Sequence, residues 1–140
     1  MQKERWEKEY ESLKNIPSSN ADQPSKMLLR FHEKYLSTPG KALDLGSGNG
    51  RNATYLAGLG WQVDCIEFSA VANEQAARLL AEKKLKSSVK IVEGSIGESM
   101  PFASDSYDLA IDMMAFHLLN AQERLTYAAE LQRLLKPGGL

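Results

Sequence analysis

Hydrophobic and polar positions change their spacing near Gly40. Before it, apolar residues recur every three or four positions; after it, they come in short runs separated by longer segments of helical spacing. From Met1 to about Asn15 the chain is charged and helix-friendly, and Trp6, Tyr10 and Leu13, spaced by four and three, fall on one face. This predicts an amphipathic arm. The stretch IPSSNADQPS gathers Pro17, Ser18, Ser19, Asn20 and Pro24 and predicts a loop. Ser25 is placed to cap a second helix over KMLLRFHEKYL, with Leu28, Phe31, Tyr35 and Leu36 as its stripe and Thr38, Pro39 and Gly40 as its stop. Four apolar runs follow: KALDL to Leu45, WQVDCIEF to about Phe68, SVKIVEG to about Gly94 and YDLAIDMM to about Met114. Helical segments lie between them at ATYLAGLG and AVANEQAARLLAEKKL, and after them at AQERLTYAAELQRLL. The alternation predicts an α/β domain with a parallel sheet over residues 40–140, preceded by a helical arm over 1–39.

Composition narrows the function. A chain of 140 residues with 17 basic and 18 acidic side chains builds one domain and carries no excess charge for nucleic-acid backbones or a polybasic membrane anchor. The charged N-terminus has no apolar core of a signal peptide, and no run is long enough to span a bilayer, so the expected location is cytoplasmic. The only cysteine, Cys65, sits in an apolar run and reads as a small buried hydrophobe, excluding an intrachain disulfide or a cysteine metal site. No metal is expected.

The informative segment is ALDLGSGNGRNATYLA, where a strand runs through Gly46, Ser47, Gly48 and Gly50 into a helix. Glycines let backbone amides approach a ligand, and the helix N-terminus adds partial positive charge. A dinucleotide fingerprint needs a glycine at position 51, which is Arg51, so a pyrophosphate reading is weakened. Asp44 ends a strand expected to be buried, where a cationic ligand or backbone amides would offset its charge. Glu67 ends the second strand about 20 residues beyond the loop, where an acid accepts from both hydroxyls of a ribose or else stands solvated. Together these residues favour a nucleoside site.

DLGSGNG, then VDCIEFS, VEGS, YDLAIDMMAFHLL and LLKPGG, in that order from Lys41 to Gly139, resemble the class I S-adenosylmethionine-dependent methyltransferases. GRNATYLA is similar to the subset with tellurite-resistance-type and small-molecule enzymes. The resemblance implies a doubly wound, Rossmann-like sheet of strand order 3-2-1-4, incomplete on its C-terminal side, with S-adenosylmethionine as cofactor and S-adenosylhomocysteine as product. It assigns Asp44, Gly46, Ser47, Gly48 and Gly50 to the methionine part, Glu67 to the ribose and Phe68 to the adenine face. Ser95, where relatives carry an acid for the adenine amino group, and Ile96 complete that end. Asp112 falls near the transferred methyl. Asp112 and His117 are the candidate bases, Asp112 being equally an N-cap or cofactor contact and His117 a core or helix-end residue. His32 reads as surface. The acceptor is expected to be a small molecule; a non-catalytic adenosyl-ligand module and a nicotinamide-dependent oxidoreductase are the alternatives. The arm is expected either to close over the cofactor as a lid or to pack outside the sheet. Leu109, Ile111 and Met113 are expected at an open edge through which two copies could pair, or which a longer chain would cover.

Overall fold

A computed structural model describes residues 2–12, 17 and 21–140. Leu13, Ser18, Ser19 and Asn20 lie outside the described residues. The order of elements is α1 (Gln2–Ser12), α2 (Lys26–Tyr35), β1 (Lys41–Leu45), α3 (Arg51–Gly58), β2 (Gln62–Glu67), α4 (Ala70–Glu82), β3 (Val89–Glu93), β4 (Leu109–Asp112) and α5 (Ala121–Leu134). Short 3-10 turns precede β3, at Lys86–Ser88, and α5, at Phe116–Leu118.

Side-chain oxygens start three of the helices. Ser25 accepts from the Met27 amide, Ser69 from the Ala72 amide, and Asn120 with Glu123 forms a reciprocal capping box. The four strands pair in parallel in the order β3-β2-β1-β4. Ala42 stands opposite Val63 on one side and Leu109 on the other, while Val63 stands opposite Val89. Because strand side chains alternate, this register sorts the sheet into two buried faces. One carries Ala42, Val63, Cys65, Leu109 and Ile111 against Leu28 of α2 and Ala53, Leu56 and Ala57 of α3. The other carries Leu43, Leu45 and Ile66 against Ile96, Met100, Phe102 and, from α5, Tyr127 and Leu134.

One expectation changes. The fourth strand ends at Asp112, two residues early, because the Asp112 carboxylate turns back to accept from the Ala115 and Phe116 amides and Met114 takes a left-handed φ of 80°. β4 stands at the edge of the sheet, and the side chains of Leu109 and Ile111 are buried on its α2 and α3 face, with Met113 packed beside them. Alongside β4, the Ala110 amide donates to the Leu140 carbonyl at 2.8 Å and the Leu140 amide to the Asp108 carbonyl at 3.0 Å. Cys65 is free and buried. Among the described residues no helix is long and apolar enough to cross a membrane.

Candidate active site

Strand order creates the site. The chain runs β1, β2, β3 outward, then returns to place β4 on the far side of β1, so the loops after β1 and β4 diverge and leave a crevice at the carboxyl ends. A cavity of about 740 Å3 occupies it.

Its floor is the β1–α3 turn. The Gly46 amide donates to the Ile66 carbonyl at 2.9 Å, tying the turn to β2. At Gly46, with φ 66°, an added Cβ would lie 2.5 Å from the Ala115 methyl; at Gly48, with φ 54°, it would lie 2.5 Å from the Tyr10 hydroxyl. Both positions therefore exclude a side chain twice over, by conformation and by contact. Glu67 joins the floor to the wall. Its Oε2 accepts from the Gly48 amide at 3.0 Å and its Oε1 from the Ser69 amide at 2.9 Å. Burial raises the Glu67 pKa against the opposing pull of those amides. Each carboxylate oxygen keeps acceptor capacity beyond these bonds, because an ionised carboxyl offers about four lone-pair sites.

Seven of the eleven candidate cofactor and catalytic residues line the cavity: Gly46, Ser47, Gly48, Glu67, Phe68, Ser95 and Ile96. Four do not. Gly50 faces α4 instead, where a Cβ would meet the Ala76 methyl at 2.8 Å. Asp44 lies behind the turn, 1% exposed, with its Oδ2 lacking a hydrogen-bond partner among the described residues. Burial first, then the charges of Asp112 and Glu67, push its pKa up to about 7. His117 is exposed on the turn before α5 and contributes no wall to the cavity. Asp112 is also set back; its Oδ1 accepts from the Ala115 amide and its Oδ2 from the Phe116 amide and, at 2.9 Å, the Tyr127 hydroxyl. The Asp112 carboxylate thus braces the turn after β4, while the N-cap position of the 3-10 turn is Ala115, with no side-chain cap. Ser95 Oγ accepts from the Gly97 amide, turning the loop beyond β3. His32 is half-buried rather than on the surface, with its Nδ1 3.2 Å from the Tyr55 hydroxyl.

Sequence reasoning left the arm undecided, and the structure lays α1 along the cavity, where Gln2, Lys3, Trp6 and Tyr10 line it. The Glu7 carboxylate accepts from the Ala70 and Val71 amides and the Ser69 hydroxyl, capping α4 from another element. Burial would raise its pKa, but these donors together hold it below the ordinary carboxylate value. Lys3 pairs with Glu93 at 2.6 Å, the Gln2 amide donates to the Leu118 carbonyl, and the Gln75 amide donates to the Tyr10 carbonyl. Nothing local in the sequence marks Glu7 for this, since its partners are more than 60 positions away.

A cavity at the carboxyl ends of a 3-2-1-4 parallel sheet, floored by a glycine turn that is tied to a strand-end acid, defines a doubly wound α/β domain with its crevice at the strand ends. Its family follows from comparison. The chain belongs to the methyltransferase domain family, whose model matches residues 42–139. It is 36% identical over 100 residues to the sarcosine/dimethylglycine N-methyltransferase of Aphanothece halophytica, covering 71% of this chain and 35% of that protein. It is 31% identical over 125 residues to ribosomal RNA small subunit methyltransferase C of Alcanivorax borkumensis, covering 85% and 36%. Its fold matches the Burkholderia thailandensis 1,6-didemethyltoxoflavin-N1-methyltransferase, solved with that compound and S-adenosylhomocysteine, at a TM-score of 0.79 and 21% identity over 98% of this chain and 57% of that one. The chain spans about a third of the length of the curated relatives it matches.

Proposed function

We propose that this domain binds S-adenosylmethionine in the cavity and directs its methyl group to a small-molecule acceptor. The observation that carries the reading is Glu67, whose buried carboxylate is oriented by the Gly48 and Ser69 amides yet keeps acceptor capacity at the cavity wall, which suits a ribose diol. The site fits the cofactor on three further counts. The volume falls within the roughly 300–1,000 Å3 of small-molecule pockets. Phe68 and Ile96 line the cavity beside Glu67 and offer an adenine ring apolar surface. Asp44 keeps an unpartnered carboxylate oxygen beneath the turn, and a cationic ligand end above it would favour the ionised form and draw its raised pKa back down.

The cofactor supplies an activated methyl on sulfur with a neutral thioether as leaving group. The protein's part is therefore to hold two reactants in line and keep water out. The glycine turn, Glu67 and Phe68 would fix one reactant, while Met113, Met114 and Leu118 on one side and Trp6 on the other would border the approach of the second. Neither Asp112 nor His117 lines the cavity, and the reading assigns neither the abstraction of a proton. Apart from Lys3 and Arg51 the charged residues of the lining are acidic, which favours a small neutral or cationic amine over an RNA backbone.

Calorimetric titration tests the binding. S-adenosylhomocysteine should bind and NAD should not, and Glu67→Ala should weaken binding by about 1.5–3 kcal/mol, the range for hydrogen bonds to a charged group. Equal affinity in wild type and variant would remove Glu67 from the site. Labelled methyl transfer to sarcosine, to dimethylglycine and to RNA then separates acceptor classes. Binding without transfer to any of them would favour the non-catalytic adenosyl-ligand module.

A further inference from the structure

We propose that Tyr127, which does not itself line the cavity, is a positioning residue for it: through Asp112 its hydroxyl clamps residues 113–115 into the wall that faces the glycine turn. The inference rests on the cofactor reading above. Four observations carry it.

The first is a chain of contacts. Tyr127 is buried on α5, and its hydroxyl donates to Asp112 Oδ2 at 2.9 Å. The same carboxylate accepts from the Ala115 amide at 2.8 Å and the Phe116 amide at 3.0 Å. Three donors on one carboxylate fix its orientation, and with it the path of the chain leaving β4. The second is strain. Met114, between Asp112 and those amides, has φ 80°, a left-handed conformation that is costly for a residue with a Cβ and persists only where its surroundings enforce it. The third is what the enforced path delivers. The Ala115 methyl comes to rest against Gly46 of the floor, and Met113, Met114 and Ala115 become cavity wall, with Met114 at the mouth, 71% exposed. The fourth is support from the other side. The Phe116 ring packs on the Tyr127 ring at 5.2 Å, and the Arg124 guanidinium lies over Phe116 at 5.2 Å, so α5 holds the segment by rings as well as by hydrogen bond.

The fold contains its own control. Tyr107 makes a comparable bond, its hydroxyl donating to Asp64 Oδ2 at 2.6 Å, and it too is buried, but it lines no part of the cavity. Tyr127→Phe and Tyr107→Phe each delete one hydroxyl bonded to a carboxylate and keep the ring. In Tyr127→Phe the Ala115 and Phe116 amides should exchange with deuterium faster than in wild type, and the S-adenosylhomocysteine Kd measured by calorimetry should rise about 3- to 10-fold. In Tyr107→Phe denaturant stability should fall while both readings stay at wild-type values. The proposal is overturned if Tyr127→Phe binds as wild type does, or if the two variants weaken binding equally, which would reduce Tyr127 to general stability. If the wild type fails to bind S-adenosylhomocysteine, the cofactor reading falls, and unchanged exchange at Ala115 and Phe116 would still overturn the clamp.

Discussion

Two helices precede the first strand, and they are held by opposite means. α2 is fastened by apolar burial: Leu28 is wholly inaccessible, and Phe31 and Leu36 pack against the same face of the sheet. α1 is fastened mainly by polar contacts at long range, with Glu7 on the start of α4, Lys3 on Glu93, Gln2 on the Leu118 carbonyl and Gln75 on the Tyr10 carbonyl. Tyr10 is its one buried aromatic, and that ring ends over Gly48 in the cavity. Burial of a leucine contributes roughly 1.5–3 kcal/mol and does not depend on direction. Exposed ion pairs contribute between about 0 and 1 kcal/mol, and each can be replaced by water. A helix fastened by burial is scaffold. A helix fastened mainly by polar tips exposes little of the core beyond Tyr10 when it leaves, which suits a wall that a ligand must pass.

The comparison is broken most severely through α2. Leu28→Ala should cost about 2–5 kcal/mol of stability in chemical denaturation. It should leave S-adenosylhomocysteine affinity unchanged in the fraction that stays folded. A large loss of affinity at full stability would place α2 in the site and dissolve the distinction.

A smaller effect comes from the acid beneath the cavity floor, against which neither helix supplies a hydrogen bond. Asp44 has a native pKa near 7 against an ordinary 3.8, so between those values the folded state holds a proton that the unfolded state has lost. Stability should therefore fall as pH rises from about 4 to about 7, by of order a few kcal/mol, and level off above. Glu67, raised by burial as well, adds slope of the same sign. Asp44→Asn should flatten most of the curve, and a wild-type curve that is flat through this window would show that Asp44 ionises freely in the fold.

The smallest effect sharpens the comparison from the side of α1. Glu7→Ala removes the acceptor for two α4 amides and the Ser69 hydroxyl and should cost about 0.5–2 kcal/mol, the range for losing a helix cap. Affinity for S-adenosylhomocysteine should fall several-fold, the reverse of the Leu28 pattern. Unchanged affinity, with the amides of α1 exchanging as fast as those of a free peptide, would mean that the helix is ornament to the site rather than part of its wall.

The element types, the parallel sheet and the glycine-turn end of the cavity were legible in the linear chain because local rules decide them. Period-two runs make strands, period-3.6 runs make helices, and Gly46, Gly48 and Glu67 sit at strand ends where backbone geometry alone brings them to the crevice. Asp112 and His117 show where such rules stop. Asp112 ends β4 and His117 follows it closely, near enough for either to reach the cavity, but whether a side chain turns inward depends on which donors compete for it. Tyr127, 15 positions on, and the Ala115 and Phe116 amides take Asp112, and the 3-10 turn carries His117 to the surface.

Sequence alone thus determined the four strands, the capped helices α2, α4 and α5, the glycine turn and the acid at its side, since each depends on residues within a turn or two of one another. Tertiary structure decided the rest: α1 along the cavity, the buried and unpartnered oxygen of Asp44, and the strained Met114 path that sets Ala115 against Gly46. These join residues 15 to 116 positions apart, and no local preference specifies them. They exist because a packed interior leaves each polar group few partners, and the partner it finds depends on where the whole chain has gone.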